Sequence, residues 1–322
     1  MEQSKQQKNS SSKMKMTRTT SNRFISVLLI FYYLIKNFLL LFIPIRLLKQ
    51  PKNIHDKLIL ITGGGNGIGQ LMTLKLLKLG AKVIVWDIDP LALDRTRKLA
   101  KGYDKKLFCY QIDLCQKDMI KKMAKQIEND LGNGTRVDIL INNAGIVVGK
   151  NILDLSDDEI QRTMMVNTIS HFFTIRTFLP GMIEQKSGHI VTISSVAGDI
   201  GAGSLTDYCT SKFAATGLTE SLEFELAKAN LDKQIKISVV KPWVITTGMF
   251  DGLDSGIFPP LKPETVAEKI VEGILFEQSV IVIPWYFKFI IILWKILPHD
   301  CLVHVYNMVG AFESMDHFVG RK

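Results

Sequence analysis

The chain has 322 residues, of which 47% are apolar and 22% charged, a balance that fills one large globular core and excludes a disordered polymer. Its formal charge of +9 is uneven: residues 1–23 hold six Lys or Arg against one Glu, so +5 lies there and +4 elsewhere, with no basic stripe to suggest nucleic acid. Four cysteines (Cys109, Cys115, Cys209, Cys301) form neither a CxxC pair nor a disulfide framework, which suits a reducing compartment.

Residues 1–23, rich in Ser, Lys, Gln and Thr, read as a disordered basic tail. Phe24 to Ile45 follows, 22 mostly apolar residues reaching about 33 Å as a helix, enough to cross a bilayer. Lys36 in its middle costs roughly 2.5 to 3.5 kcal/mol, which the sixteen Leu, Ile, Phe and Val residues outweigh at about 0.3 to 0.6 kcal/mol each. Basic residues flank both ends, so a single span and a shallow hairpin with both ends cytosolic both fit, and a buried hydrophobic helix is the plain alternative. No small-residue cleavage site follows, which argues against a cleaved signal peptide.

From Lys57 the pattern alternates between strands and helices. The apolar strand 58–61 runs into Thr62-Gly-Gly-Gly-Asn-Gly-Ile-Gly69, and helical spacing follows to Leu79. Gly63, Gly67 and Gly69, with Asn66 and Ile68 between them, suit a tight turn that brings backbone N–H groups close to a pyrophosphate. A lone glycine loop is weak evidence, but here it has the strand before it and the helix after it that such a loop requires. Strand 82–86 ends in Asp87, placed to bond the ribose hydroxyls of NAD and to repel the 2′-phosphate of NADP.

Strand 107–112 leads to Asp113 and Leu114, where the carboxylate either contacts an adenine or caps the next helix. Strand 137–141 leads to Asn142-Asn143-Ala144-Gly145, polar amides beside small residues that suit the wall of a cofactor crevice. One long helix is expected from Ser156 to about Gln185. Asn167 inside it is either a satisfied core amide or part of a site.

The strand 189–193 precedes Ser195, and Tyr208 and Lys212 stand four apart on the following helix, on one face. A phenol beside an ammonium and a serine hydroxyl suits proton transfer to or from an alcohol oxygen, with no metal required. A lone YxxxK arises by chance in many surface helices; its weight comes from what precedes it. Strand 234–240 meets Lys241-Pro242-Trp243, and Thr247 follows. A helix over 263–278 and a strand over 279–283 complete a doubly wound α/β Rossmann fold with ligands at the carboxyl ends of its strands.

TGxxxGIG (62–69), Asp87, NNAG (142–145), Asn167, Ser195 and YxxxK (208–212) occur in the order and spacing of the short-chain dehydrogenase/reductase family, which the chain resembles over 57–250. The resemblance implies a seven-stranded parallel sheet and NAD as cofactor. Tyr208 would be the acid/base, with Ser195 orienting the substrate oxygen. Lys212 would lower the tyrosine pKa and bond the nicotinamide ribose, Asn167 would hold a water in a relay to Lys212, and Thr247 would contact the carboxamide. One departure is Trp243 where the family usually has Gly, expected to narrow the nicotinamide end of the pocket.

The match is closer to the membrane-associated branch that holds the epidermal retinol dehydrogenases and the lipid-droplet 17β-hydroxysteroid dehydrogenases. It rests on the N-terminal apolar segment, Trp86-Asp87-Ile88, Asp207 to Ala214, Thr247 to Phe250, Pro259 to Glu264, and Ser314 to Phe318. That implies a homodimer on the endoplasmic reticulum membrane or a lipid droplet, its catalytic domain (57–284) cytosolic, acting on a lipophilic alcohol, ketone or aldehyde. A dinucleotide-binding scaffold with little turnover is the alternative, and the presence of all four of Asn167, Ser195, Tyr208 and Lys212 argues against it. In the C-terminal extension (285–322), Trp285 to Leu297 is too short to span a bilayer. It is expected to lie on the membrane, Ile291 and Trp294 towards lipid and Lys288 and Lys295 towards headgroups, or else to form a dimer contact or core helix.

Overall fold

The computed structural model describes residues 25–36 and 45–320. The basic tail lies outside the described residues, as does the second half of the expected membrane segment. What is described of that segment is a helix over 25–36 and a helical turn, Ile45–Leu48. Among the described residues no helix is long and apolar enough to cross a membrane. The chain divides into two compact units, Met1–Pro51 and Lys52–Lys322, and the second contains the sheet.

Seven parallel strands form that sheet: β1 (Leu58–Thr62), β2 (Lys82–Asp87), β3 (Leu107–Gln111), β4 (Ile139–Asn142), β5 (Gly188–Ile193), β6 (Ile235–Pro242) and β7 (Val280–Ile283), in the order 3-2-1-4-5-6-7. The strands are nearly continuous apolar runs because both faces are covered. Alternate residues divide between two cores. Ile59, Ile61, Val83 and Val85 point to one face, where helices α1 (Gly67–Lys78), α2 (Pro90–Leu99) and α7 (Pro263–Leu275) bring Leu76, Leu93 and Ile270. Leu58, Leu60, Ile84 and Trp86 point to the other, against Ile120 of α3 (Lys117–Leu131), Ile175 of α5 (Ser170–Glu184) and Leu222 of α6 (Thr206–Lys228). The strand order reverses between β1 and β4, which opens a crevice at their carboxyl ends.

The helix expected over 156–185 is three pieces: α4 (Asp157–Met164), a π-helical turn (Met165–Ile169) that contains Asn167, and α5. Ser156 caps α4 in a reciprocal box with Glu159. Beyond β7 the chain forms α8 (Phe287–Ile296) and α9 (His299–Met308). Phe287 and Ile291 of α8 pack on Val196 and Val282, so Ile291 faces inward rather than towards lipid. Trp294 meets Tyr306 of α9, their rings 5.9 Å apart.

Candidate active site

The crevice is built from backbone first. Gly63 and Gly67 have φ of +63° and +52°, the left-handed region that favours glycine, and a Cβ on Gly69 would collide with the Gly63 carbonyl oxygen. Thr62 ties the loop to β4: its Oγ accepts from the backbone N–H groups of Asn143 (3.0 Å) and Ala144 (3.1 Å). Asn143 answers by donating through Nδ2 to the carbonyls of Thr62 (2.9 Å) and Gly63 (3.0 Å). Its side chain therefore braces the loop rather than reaching into the crevice. No side chain caps the N-terminus of α1, and Gly67, Ile68 and Gly69 of its first turn line the cavity.

Asp87 accepts from the N–H of Gly65 at 2.9 Å and of Asp89 at 3.1 Å, one bond per oxygen, which leaves half of its acceptor capacity. Asp113 is not the cap of the next helix, which starts at Lys117 behind Gln116. Its carboxylate instead accepts from the Cys115 N–H at 2.9 Å, shaping the turn before that helix. Sequence reasoning missed Arg95, a cation in α2 that donates to Asn66 Oδ1 at 3.0 Å and pairs with Asp89 at 3.5 Å. It stands a helix away from the glycine motif, so motif reading had no reason to look there.

Ser195, Tyr208 and Lys212 line the same cavity, of about 950 Å³, as does every residue predicted for the site except Asn142 and Asn167. Lys212 is 4% exposed; its Nζ donates to the Ile193 carbonyl at 3.0 Å and lies 5.6 Å from the centre of the Tyr208 ring. The turn between them is pinned from three sides. Ser194 donates to the Lys212 carbonyl (3.0 Å), Thr168 to the Ser211 carbonyl (2.7 Å), and Asn167 Nδ2 to Ser211 Oγ (2.9 Å).

The remaining bonds of Asn167 go to Ile146, whose N–H it accepts (2.8 Å) and whose carbonyl it bonds through Nδ2 (2.9 Å). Its carboxamide is thus a satisfied clamp between the β4 loop and α6. The π turn is what carries it there, since π turns recur at functional sites where a helix must re-aim a side chain. On the far side Phe250 stands edge-on to Tyr208 at 5.5 Å.

Burial pulls Lys212 down from its usual 10.5 to about 8. Burial also pushes the Tyr208 phenol well above its usual range, with its side-chain contact to Ser195 opposing it. The expected lowering of the phenol by Lys212 is therefore not seen here. Desolvation governs the phenol, and the ammonium donates to a carbonyl rather than to the phenol oxygen. His171 is pulled down to about 3, by burial first and the Lys212 ammonium second, and so adds no competing charge at neutral pH.

Another part of the cavity lining is apolar. Trp243 stacks on Phe287 at 4.8 Å, meets Phe258 edge-on at 6.1 Å and donates Nε1–H to the Phe258 carbonyl at 3.2 Å. The indole gathers the wall of the cavity; Leu293 and Trp294 of α8 and Val305 and Tyr306 of α9 continue it. Lys295 is half exposed, but it is not free as an outward lysine would be: its Nζ lies 3.2 Å from the buried Asp199 carboxylate.

These features agree with what the chain is similar to. The sequence pattern described as short chain dehydrogenase matches residues 57–257. Epidermal retinol dehydrogenase 2 of Mus musculus is 39% identical over 279 residues, covering 85% of this chain and 89% of that protein. Estradiol 17-beta-dehydrogenase 11 of Homo sapiens is 36% identical over 288 residues, covering 89% and 93%. A crystal structure of a short chain dehydrogenase/reductase from Burkholderia phymatum in complex with NAD superposes with a TM-score of 0.64 at 25% identity, over 72% of this chain and 90% of that one.

The buried Lys212 ammonium makes stability depend on pH in a definite sense. Its pKa in the folded chain (about 8) is below its usual 10.5, so the fold disfavours the charged form. That penalty is fully present below about pH 8 and fades as pH rises towards 10.5. Lys212→Met lacks it at every pH. Thermal melts should show the melting temperature of Lys212→Met minus that of the parent falling by several degrees, on the order of 2–4 °C per kcal/mol, between pH 7 and pH 9.5. A difference that does not change with pH contradicts a depressed Lys212.

Proposed function

The chain belongs to the short chain dehydrogenase family, and from that premise we propose that it transfers a hydride between NAD(H) and a lipophilic alcohol, ketone or aldehyde of the retinol, steroid or fatty-alcohol class. The observation that carries this reading is the cavity itself, which is lined both by Tyr208, Ser195 and Lys212 and by the apolar side chains of Trp243, Phe258, Leu293 and Trp294. An aromatic and aliphatic wall of that size selects apolar area, about 25 cal/mol for each Å² buried, over polar substrates of equal length.

The residues fit a nicotinamide dinucleotide. Gly63, Gly67 and Gly69 would let its pyrophosphate approach the first turn of α1, and the two free acceptor positions of Asp87 would take the adenosine ribose hydroxyls. Leu114, Ala144 and Thr247 would line the rest of its bed. Asp87 favours NAD over NADP because a second anion beside the carboxylate is repelled, and Arg95 is already engaged by Asn66 and Asp89. When bound, the dinucleotide supplies the hydride acceptor or donor.

The side chains supply everything else. Ser195 donates to the substrate oxygen and holds it beside the Tyr208 phenol. A protonated phenol is ready to give its proton to the oxygen of a ketone or aldehyde, and in the oxidative direction the same atom must take one back. Lys212, charged at neutral pH and fixed by Ile193, stabilises the phenolate that proton donation leaves.

The membrane setting is the second part of the reading. The apolar segment 24–45 holds the protein at the endoplasmic reticulum membrane or a lipid droplet. Helix α8 adds an apolar face, with Phe289, Ile292 and Ile296 48%, 60% and 72% exposed. A lipid alcohol dissolved in the bilayer would then reach the cavity beside α8 without crossing water. A homodimer belongs to the same proposal.

Tested against retinol, steroid and fatty alcohols, the membrane-bound protein should turn over at least one with NAD in preference to NADP. Tyr208→Phe should lower that rate by about 10² to 10⁴ while NADH binding, followed by fluorescence, stays nearly intact. Retention of more than about a tenth of the rate, a loss below about 1.4 kcal/mol, would remove Tyr208 from the acid/base role.

Residues 52–322 form a compact unit of their own, so the anchor and α8 can be separated. In liposome flotation the chain lacking residues 1–51 should float partially, and adding Phe289→Glu with Ile292→Glu should abolish flotation. Equal flotation of the two forms would mean that α8 does not touch lipid.

A further inference from the structure

The turn that carries Ser195 is gripped at both ends by two consecutive residues of β6. At its start Ser195 Oγ donates to the Pro242 carbonyl at 3.4 Å and accepts from the Ala197 N–H at 3.1 Å. A single turn of 3-10 helix, Val196–Gly198, separates it from Asp199. There the Asp199 Oδ2 lies 2.7 Å from Lys241 Nζ, and both residues are buried, at 7% and 6% exposure. The second oxygen of the same carboxylate, Oδ1, takes Lys295 Nζ at 3.2 Å. One anion thus joins three segments: the serine turn, the end of β6 and the last turn of α8.

Helix α8 is consequently held by two different forces. Phe287 and Ile291, in its first half, are buried against Val196 and Val282. Its second half, which supplies Leu293 and Trp294 to the cavity, is held by Lys295. Removing the Lys241 ammonium and the Asp199 carboxylate from water costs several kcal/mol per ion, and an apolar pair would fill the same space without that cost. Charges in such a place act by fixing geometry, since a carboxylate with two cations on different segments is satisfied in only one arrangement of them.

We propose that Asp199 is a positioning residue of the active site: through Lys241 it fixes the turn that presents Ser195, and through Lys295 it fixes the wall of the cavity that a lipophilic substrate lies against. Substrate shape and serine position are coupled through one buried carboxylate. The kinetic part of this proposal rests on the function proposed above; the structural part does not.

The experiment uses the full chain in membranes, with Lys295→Met, Lys295→Arg and Asp199→Asn. Lys295 is half exposed, so its replacement leaves the fold intact. Lys295→Met should raise KM for the long lipophilic alcohol by about tenfold while kcat/KM for a short, water-soluble secondary alcohol stays within about twofold, and Lys295→Arg should restore the parent value. Asp199→Asn should lower kcat for both alcohols, because Ser195 loses its brace.

Hydrogen exchange supplies a readout that needs no turnover. Peptides covering 285–297 should exchange faster in Lys295→Met, and those covering 263–275 should not change. Unchanged exchange over 285–297, or equal loss on long and short alcohols with Lys295→Met, overturns the proposal. If the parent chain turns over none of the alcohols yet exchange rises in that helix alone, the coupling stands and the proposed function falls. Should Asp199→Asn not fold, Asp199→Leu with Lys241→Met, which removes both buried charges together, replaces it, and the same fall in kcat is expected.

Discussion

A single ammonium group in the interior sets the terms for this active site. Lys212 is almost wholly removed from water, and burial lowers its pKa to about 8, so at neutral pH it stays charged against the preference of its surroundings. Such a charge must be held by specific acceptors. The Ile193 carbonyl at the end of β5 provides one, and Ser194, Thr168 and Asn167 fix the helical turn that carries the lysine. The π-helical turn at Asn167 makes sense in this light. It aims a carboxamide at both the loop after β4 and the Tyr208–Lys212 turn, which ties the two walls of the site together.

The sheet supplies the rest by placing strand ends. Reversal of strand order between β1 and β4 opens the crevice, and the close approach of Gly69 to Gly63 permits a loop that no larger residue could form there. Thr62 and Asn143 lock that loop to β4 through reciprocal hydrogen bonds. Trp243 and Phe258 pack on Phe287 at the start of α8, so the residue that departs from the family's usual glycine helps build the apolar wall. The Tyr208–Lys212 turn and this apolar wall therefore come from different parts of the chain and meet in one cavity.

Much of this is legible in the sequence, because the signals are local or periodic. The strands are continuous apolar runs, the glycine loop has a strand on one side and a helix on the other, and Tyr208 and Lys212 are a helical turn apart. What cannot be read depends on contacts between distant segments. The helix around Asn167 looks continuous in sequence because one π turn adds a single residue and leaves no mark on the apolar pattern. Lys288 and Lys295, seven apart, suggest one outward stripe. Lys295, although half exposed, is engaged by a buried carboxylate 96 residues away. Asp113 and Asn143 belong to the crevice by position, and both line it. Their polar groups nevertheless serve the backbone around them.

Whether Lys212 is a buried, weakened ammonium is open to direct observation. With the lysine side-chain ε-carbons labelled by 13C, an NMR titration of the protein, assigned with Lys212→Met, should show one resonance titrating near pH 8 while exposed lysines titrate near their ordinary value of about 10.4. If the Lys212 resonance instead follows the exposed lysines, the ammonium is well solvated, and burial does not govern the charge at the centre of the site.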